Sequence, residues 1–521
     1  MKKPLKVLLP LALAAATATL VGPVGSASSA SNAPVAAGAT TKCVKYAGVE
    51  SSGNKNSMDP AQQPSSQSSL NVNASYDRLT TEDDNWKVLP QLATSWKSNA
   101  KGTVWTFQLR KGVTFWDGKP FTSADVVYTF RRVLDPKTGS EGLSQMTFLK
   151  PGGIKADGPY RVKFTTAKPV AELPLLITNK NTFIVQNGAK TATLRTKGAG
   201  TGPFIPVGFK PGKQVQTFNR NPNYWQKGLP KAPCLQLYVI QEANSMLAAL
   251  QTGQVDFSQQ VAYEVVPALK SDSRVKLTTT GPSTSMTMPM WVDTPPFDKV
   301  EVRQAMKKVI DREQMVATAL LGYGVVGDDN PVPPTSPDAW RKNVPGPDVP
   351  GAIKLLESAG FNASNPLKVD IYTADMIPGI VNMVQLYKQQ AAKAGIQVNV
   401  ITGPASEYWD NVWLKQPFQV SAWSARPAGL ALSIAYLQNA PYPESHWKVP
   451  EFDALIQKAN TTVNPAARSA LYKEAGKMLT EKGGEIIPMF QRVVAAQRSN
   501  CSGYVPSIQF VQFDLTKLQC K

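Results

Sequence analysis

Residues 367–401 restrict the fold more than any other stretch. Leu367–Tyr372 and Ile396–Ile401 are short apolar runs that read as strands. Between them, Ile380–Ala394 carries a helical pattern that stops at Gly395. A strand, a helix and a second strand with apolar residues on each side is the pattern of a parallel sheet, so the chain is expected to be α/β. Its 521 residues allow about three domains or one large two-lobed body. With 42% hydrophobic and 18% charged residues, a large core can form and disorder throughout is excluded. The 42 Pro and 36 Gly follow no G-X-Y period, which excludes collagen.

The first 30 residues read as a secretory signal. Lys2, Lys3 and Lys6 precede an apolar stretch from Val7 to Val21, and Ser28-Ser29-Ala30 fits a small-x-small cleavage pattern. Residues 31–42 are Ala/Ser/Gly/Thr-rich and read as a disordered lead-in. No other segment reaches about 18 uninterrupted apolar residues, so the mature chain is expected to touch a membrane only indirectly. Cys43 follows Thr40-Thr41-Lys42, far beyond the apolar stretch, so no lipid anchor is expected there. The chain is therefore placed outside the cytoplasm, in the periplasm or elsewhere in the cell envelope. Net charge is +19, and +16 without residues 1–30, which lose three Lys and no acid. Such a charge favours loose association with anionic envelope polymers or lipid head groups. Nucleic acid is not an expected partner, because there is no Lys/Arg run of five, no RNA-binding aromatic signature and no zinc-finger spacing.

Four cysteines in an exported chain suggest two disulfides, and four allow three pairings. Cys501 and Cys520 lie close together near the C-terminal end, which leaves Cys43 for Cys234. No C-x-x-C spacing supports a zinc or redox role. The single His, His446, rules out a two-His metal site within one chain and leaves little room for His-based acid–base chemistry. No metal, cofactor or catalytic residue is expected.

Along the rest of the chain, Val104–Leu109 alternates as a strand and Val113–Trp116 reads as a second strand, with a turn at Asp117-Gly118. Thr122 or Ser123 caps a helix over Ala124–Leu134, with Asp125 in its first turn as a capping acid. Leu235–Ile240 reads as a strand and Ala243–Thr252 as a helix stopped by Gly253. Residues 327–350 form a long Pro/Asp/Asn-rich loop, and Glu451–Asn460 and Ala466–Glu481 are further helices.

Several of these stretches together resemble extracytoplasmic solute-binding proteins of family 5, the peptide/nickel-type binding components of ABC importers. The carriers are YDRLTTEDDNWKVLPQLATSWK at Tyr76–Lys97, WTFQLRKGVTFWDGKPFTSADVVYTFRRVLDP at Trp105–Pro136, GTGPF at Gly200–Phe204 and NPNYW at Asn221–Trp225. ALQTGQVDF at Ala249–Phe257, VRQAMKKVIDREQMV at Val302–Val316 and FDALI at Phe452–Ile456 follow in family order. The resemblance runs from about Tyr76 to Tyr504. It implies a two-lobed periplasmic-binding-protein fold (type II, cluster C) that closes on a ligand. Lobe I would be 43–289 plus 487–521 with an inserted subdomain near 76–196, and lobe II would be 290–486. Met286–Val292 and Ile486–Phe490 would be the crossovers. It also implies a small-molecule or peptide ligand, a membrane permease with its ATPase as partners, and a monomer. The motifs themselves suit turns and packing, and Asn221, Tyr224 and Trp225 read as a structural loop.

A ligand is expected in the cleft between lobes, where aromatic walls and a few polar anchors meet. The candidate stretch is Tyr408–Gly429. Gln419–Trp423 reads as a strand, and ligands of open α/β sheets meet strand ends. The candidate contacts are Trp423, Arg426, Tyr408, Trp409 and Ser424, with Trp423 to stack and Arg426 to pair with a carboxylate or phosphate. Peptide-binding members typically place an Asp shortly after this Trp, where it pairs with the peptide's free ammonium. Here Ala425-Arg426-Pro427-Ala428-Gly429-Leu430 follows, with no acid until Glu444. The departure favours an anionic or neutral ligand over an ordinary peptide. The other readings are a secreted hydrolase, for which no G-x-S-x-G elbow or paired carboxylates are seen, and a free-standing envelope binder. The chain has no G-x-x-x-x-G-K-[ST] loop and is not the transporter's ATPase.

Overall fold

The computed structural model describes residues 42–49, 53–509 and 513–521. The signal over 1–30 and the lead-in over 31–42, Lys42 apart, lie outside the described residues. Nine strands form the largest sheet. Ser421–Ser424, Val275–Pro289, Glu485–Arg498, Phe257–Ser258, Val44–Gly48, Cys234–Val239, Val215–Arg220 and Phe204–Val207 lie side by side, and Gly324–Val326 also pairs with Glu485–Arg498. Only Val44–Gly48 has parallel partners in it, Cys234–Val239 and Phe257–Ser258. The two longest strands, Val275–Pro289 and Glu485–Arg498, run antiparallel with register shifts around Pro282 and near Met286. Pro282 has no N–H for the ladder, so a bulge is the local solution. The segments expected as crossovers overlap the far ends of this pair.

The expected parallel unit is present. Lys368–Thr373 pairs parallel with Gln397–Thr402, and the helix Ile380–Ala392 connects them. Ile380, Met383, Val384 and Tyr387 bury one helix face in the core.

A separate antiparallel sheet is built from Ala93–Ser98, Val104–Leu109, Arg161–Thr165 and Ile154–Ala156. The helix Ser123–Val133 packs on it, and Phe107, Phe130 and Phe164 meet edge to face. Thr122 and Asp125 form a capping box, in which Asp125 accepts from the Thr122 backbone N–H at 2.7 Å. Val113–Trp116 is not the expected strand. It makes one isolated bridge, Thr114 to Pro120, around a turn with Gly118 at φ +85°. The hydrogen bonds beside it, from the Phe115 N–H to Lys119 and from the Phe121 N–H to Val113, both 2.9 Å, are made across its own turn. At Gly202 a Cβ would lie 2.3 Å from the Ser75 carbonyl carbon. The GTGPF segment is therefore a close backbone approach between neighbouring segments, and glycine there has a packing reason.

Both disulfides form as expected, Cys43–Cys234 and Cys501–Cys520. The first sits beside the Val44–Leu235 pairing and ties the first strand to its neighbour. By loop entropy it is worth a few kcal/mol.

A polar bridge joins the four-stranded unit to the helices Pro450–Thr461 and Pro465–Lys482. The Tyr472 hydroxyl donates to Glu172 at 2.9 Å, and the Arg468 guanidinium lies 3.2 Å from the other carboxylate oxygen. The Ala171 N–H donates to the Asn460 carbonyl at 3.0 Å. Burial pushes the Glu172 carboxyl upward, against the opposing pull of Arg468.

Candidate ligand-binding site

The cavity forms where Ser421–Ser424 docks on Val275–Pro289. Ser285 pairs with Trp423, and Thr284 with Ser424. Beyond this strand the chain turns through Pro427 into the short helix Ala428–Ile434, whose Ala428, Ala431 and Ile434 line the space. The cavity measures about 230 Å³. Its remaining walls are the turn Asp84–Trp86, the loop Pro331–Pro337, Phe490 and Arg492 of the long strand, and Ile508. Trp86 is held at φ +62°, a backbone region uncommon for a bulky side chain. Asp84 is fixed by the C-terminal segment, accepting from the Ser507 hydroxyl at 3.1 Å and the Ile508 N–H at 3.2 Å.

Behind the wall lie two buried acids. Glu444 accepts from the indole N–H of Trp423 at 2.7 Å and, through its other oxygen, from that of Trp413. Glu485 accepts from the hydroxyl of Tyr436, another wall residue. Burial raises both carboxyls above the ordinary range. The two indoles and Arg426 pull Glu444 back, whereas the neighbouring charge of Glu444 pushes Glu485 further up. Tyr442 packs against both Trp413 and Trp423, with ring centroids 5.4 and 5.6 Å away.

Arg426 lies half-buried with its guanidinium 5.0 Å from the Trp423 ring centroid, and it donates to the Ser424 carbonyl at 2.9 Å. Burial lowers its pKa, and Tyr442 and Glu444 act the other way. Arg492 donates to the Thr280 carbonyl at 3.4 Å. Among the described residues, neither arginine has a carboxylate within salt-bridge distance.

Three of the five sequence candidates, Trp423, Ser424 and Arg426, line the cavity. Tyr408 and Trp409 do not. Tyr408 is buried, and its hydroxyl accepts from the Val420 N–H at 3.0 Å and donates to the Val420 carbonyl at 2.8 Å. Trp409 is 43% exposed and packs edge-on against Tyr408 and Trp413. The expected strand Gln419–Trp423 is shifted to Ser421–Ser424. His446 stacks on Trp291 and bonds Asp293 at 2.8 Å, away from the cavity lining. Sequence reasoning missed Tyr436 and Arg492 as wall residues and Glu444 as support. Arg492 lies just beyond the expected crossover Ile486–Phe490, which was the available signal. Glu444 was visible only as the next acid after Arg426.

The cavity lining includes one carboxylate residue, Asp84, and no His or Cys. Among the described residues, one group of acid and thiol donors could suggest a metal: Asp256 with Cys501 and Cys520. The two sulfurs are bonded to each other. Among the described residues, no helix is long and apolar enough to cross a membrane.

The family described as bacterial extracellular solute-binding proteins, family 5 Middle, matches residues 87–437. The glutathione-binding protein GsiB of Escherichia coli (strain K12) is 26% identical over 473 residues, covering 87% of this chain and 90% of that protein. Heme-binding protein A of Haemophilus influenzae is 27% identical over 470 residues, covering 83% and 84%. The structure of HbpA2 from Haemophilus parasuis superimposes with a TM-score of 0.80 at 20% identity, covering 92% of this chain and all (100%) of that one. Its likeness extends to the two-lobed α/β architecture. The chain belongs to the family 5 bacterial extracellular solute-binding proteins.

Proposed function

We propose that this chain captures its solute in the cavity beside Trp423 and hands it to a membrane permease driven by an ATPase on the other side. The observation that carries the site assignment is the position of the cavity. It lies against the long pair Val275–Pro289 and Glu485–Arg498, and it is walled both by the Asp84–Trp86 turn and by the helix Ala428–Ile434. In this reading residues 43–289 with 487–521 make lobe I, the subdomain near 76–196 is inserted in it, and 290–486 make lobe II. The long pair is the connection about which the lobes close. A solute touching both lobes only in the closed form shifts the population toward closure. Trp423, Ser424 and Arg426 contact the solute, and Tyr408 supports the wall from behind. The protein works as a monomer in the periplasm or an equivalent extracytoplasmic space, without a lipid on Cys43, whose sulfur is held in a disulfide.

The test is cavity filling. The purified chain is screened by thermal unfolding against peptides, sugars, organic acids and metals. A compound at about 100 times its dissociation constant adds about 2.7 kcal/mol of stability. Ala431→Trp, which fills the space, is expected to remove the stabilisation by whichever compound gives it. Undiminished stabilisation of a folded Ala431→Trp protein would place the site elsewhere.

A further inference from the structure

The chemistry of the wall narrows the solute, on the reading that this cavity is the binding site. The space of about 230 Å³ is below the roughly 300–1,000 Å³ of pockets for drug-sized ligands. At about 30 Å³ per water molecule, it has room for a solute of about eight heavy atoms. Most of the wall is carbon, with Val332, Pro333, Ala431, Ile434, Ala435 and Phe490 contributing. Trp423 and Tyr436 add their rings to this. The indole N–H of Trp423 is taken by Glu444 and the hydroxyl of Tyr436 by Glu485, so their polar atoms are engaged behind the wall.

Charge is distributed unevenly. Arg426 and Arg492 line the cavity, and their observed bonds are to the backbone carbonyls of Ser424 and Thr280. The one carboxylate in the lining is Asp84. Asp84 sits at an exposed turn, where its Oδ1 accepts from Ser507 and Ile508 and water screens its charge. Both Glu444 oxygens are occupied by indoles. A solute ammonium group would therefore find only the exposed, screened Asp84 carboxylate, and an ammonium held deeper would be buried unpaired at a cost. A solute carboxylate would instead find guanidiniums in the wall, the donors whose geometry suits it.

We infer that the cavity takes a small organic carboxylate with an apolar body and no ammonium group, its charge held by Arg426 and Arg492 and its body against Trp423 and Tyr436. Arg492 is the specificity residue added by the fold, since it comes from the long strand and not from the segment that carries Trp423.

Titration calorimetry at pH 7 tests this with benzoate, phenylacetate and hexanoate, against benzamide, phenylacetamide, hexanamide, succinate and dialanine. At least one apolar carboxylate should bind, and its amide should bind at least 30-fold more weakly. Arg426→Gln and Arg492→Gln should each weaken that carboxylate at least tenfold without lowering the unfolding midpoint of the free protein, and Arg426→Lys should recover part of the loss. Binding of dialanine but none of the carboxylates, equal binding of acid and amide, or no binding by any apolar carboxylate would overturn the inference. If another compound binds and Ala431→Trp abolishes it, the cavity assignment stands while the solute class falls. If Ala431→Trp leaves that binding intact, the cavity assignment falls as well.

Discussion

Asp77 and Glu444 are two buried carboxylates that use the same device to different ends. Asp77 accepts from the Tyr224 hydroxyl at 3.0 Å, the Trp225 indole at 3.0 Å, Thr201 at 2.8 Å and Gln91 at 3.3 Å. Its partners are buried or part-buried, and the carboxylate serves as a knot between distant segments. Glu444 also accepts from aromatic N–H groups, but one of them belongs to Trp423, which faces a cavity. Burial raises both carboxyls. The difference is where the aromatic ring stands: Trp225 lies under the Arg110 guanidinium, which is 4.3 Å from its ring centroid, and outside the cavity lining, whereas Trp423 lines the cavity. A buried acid with aromatic donors is thus no sign of function by itself.

The largest effect that could break this comparison is Asp77→Ala. It strands buried hydroxyl, indole and amide donors and should cost about 3–5 kcal/mol in denaturant unfolding. Solute affinity of the molecules that remain folded should be unchanged. A clear loss of affinity would mean that Asp77 is not merely structural.

Lys307 gives a contrasting case, a buried base without aromatic partners. Its ammonium donates to the Leu479 and Thr480 carbonyls at 2.9 and 3.1 Å, and burial pushes its pKa down to about 8. Between that value and the ordinary lysine pKa near 10.4, the unfolded chain binds more protons than the folded one, so this group makes stability rise with pH. The contribution is on the order of 1–3 kcal/mol across the window. Stability curves at pH 7.5 and 9.5 should show it, and Lys307→Met should flatten the difference.

Glu444→Gln is smaller in stability and larger in function. An amide offers one acceptor oxygen to two indoles, so about 1–2 kcal/mol should be lost. Trp423 loses its fixed orientation, and affinity for the cavity's solute should drop about tenfold. Equal losses of stability in Glu444→Gln and Asp77→Ala, with affinity intact, would erase the distinction. Glu172→Gln is the mildest. It removes a part-buried ion pair while retaining an acceptor for Tyr472, and about 1 kcal/mol is expected in thermal unfolding.

The same contrast explains what the sequence made legible. The capping box at Thr122 and Asp125 and the parallel unit at 367–401 are encoded locally, in turn residues and periodicity. Tyr224 and Trp225 were read as structural, and they pack on Asp77. Val113–Trp116 failed as a strand because its alternation said nothing about where it would pair, and its bonds to Lys119 and Phe121 close its own turn. The cavity wall is assembled from afar. Trp423 and Arg426 could be singled out because an aromatic and a cation stood together at a strand end. Arg492 reaches them only through the pairing of Val275–Pro289 with both Ser421–Ser424 and Glu485–Arg498. Glu444 arrives from beyond the cavity helix. Tyr408 and Trp409 had the right chemistry, but no local signal shows that Tyr408 turns its hydroxyl into the backbone of Val420 or that Trp409 lies outside the lining.

The bridge at Glu172 has a consequence for time rather than for affinity alone. Tyr472 donates to Glu172 and lies against Gly429, where a Cβ would come within 2.4 Å of its hydroxyl. Gly429 belongs to the helix that walls the cavity, so the bridge stands directly behind the site. Drawing the four-stranded unit away from the helix Pro465–Lys482 must separate a part-buried carboxylate from both its phenol and its guanidinium partners before water can replace them. That cost falls on opening and not on the encounter between protein and solute. The bridge should therefore lengthen the residence of a captured solute and leave its association rate nearly untouched.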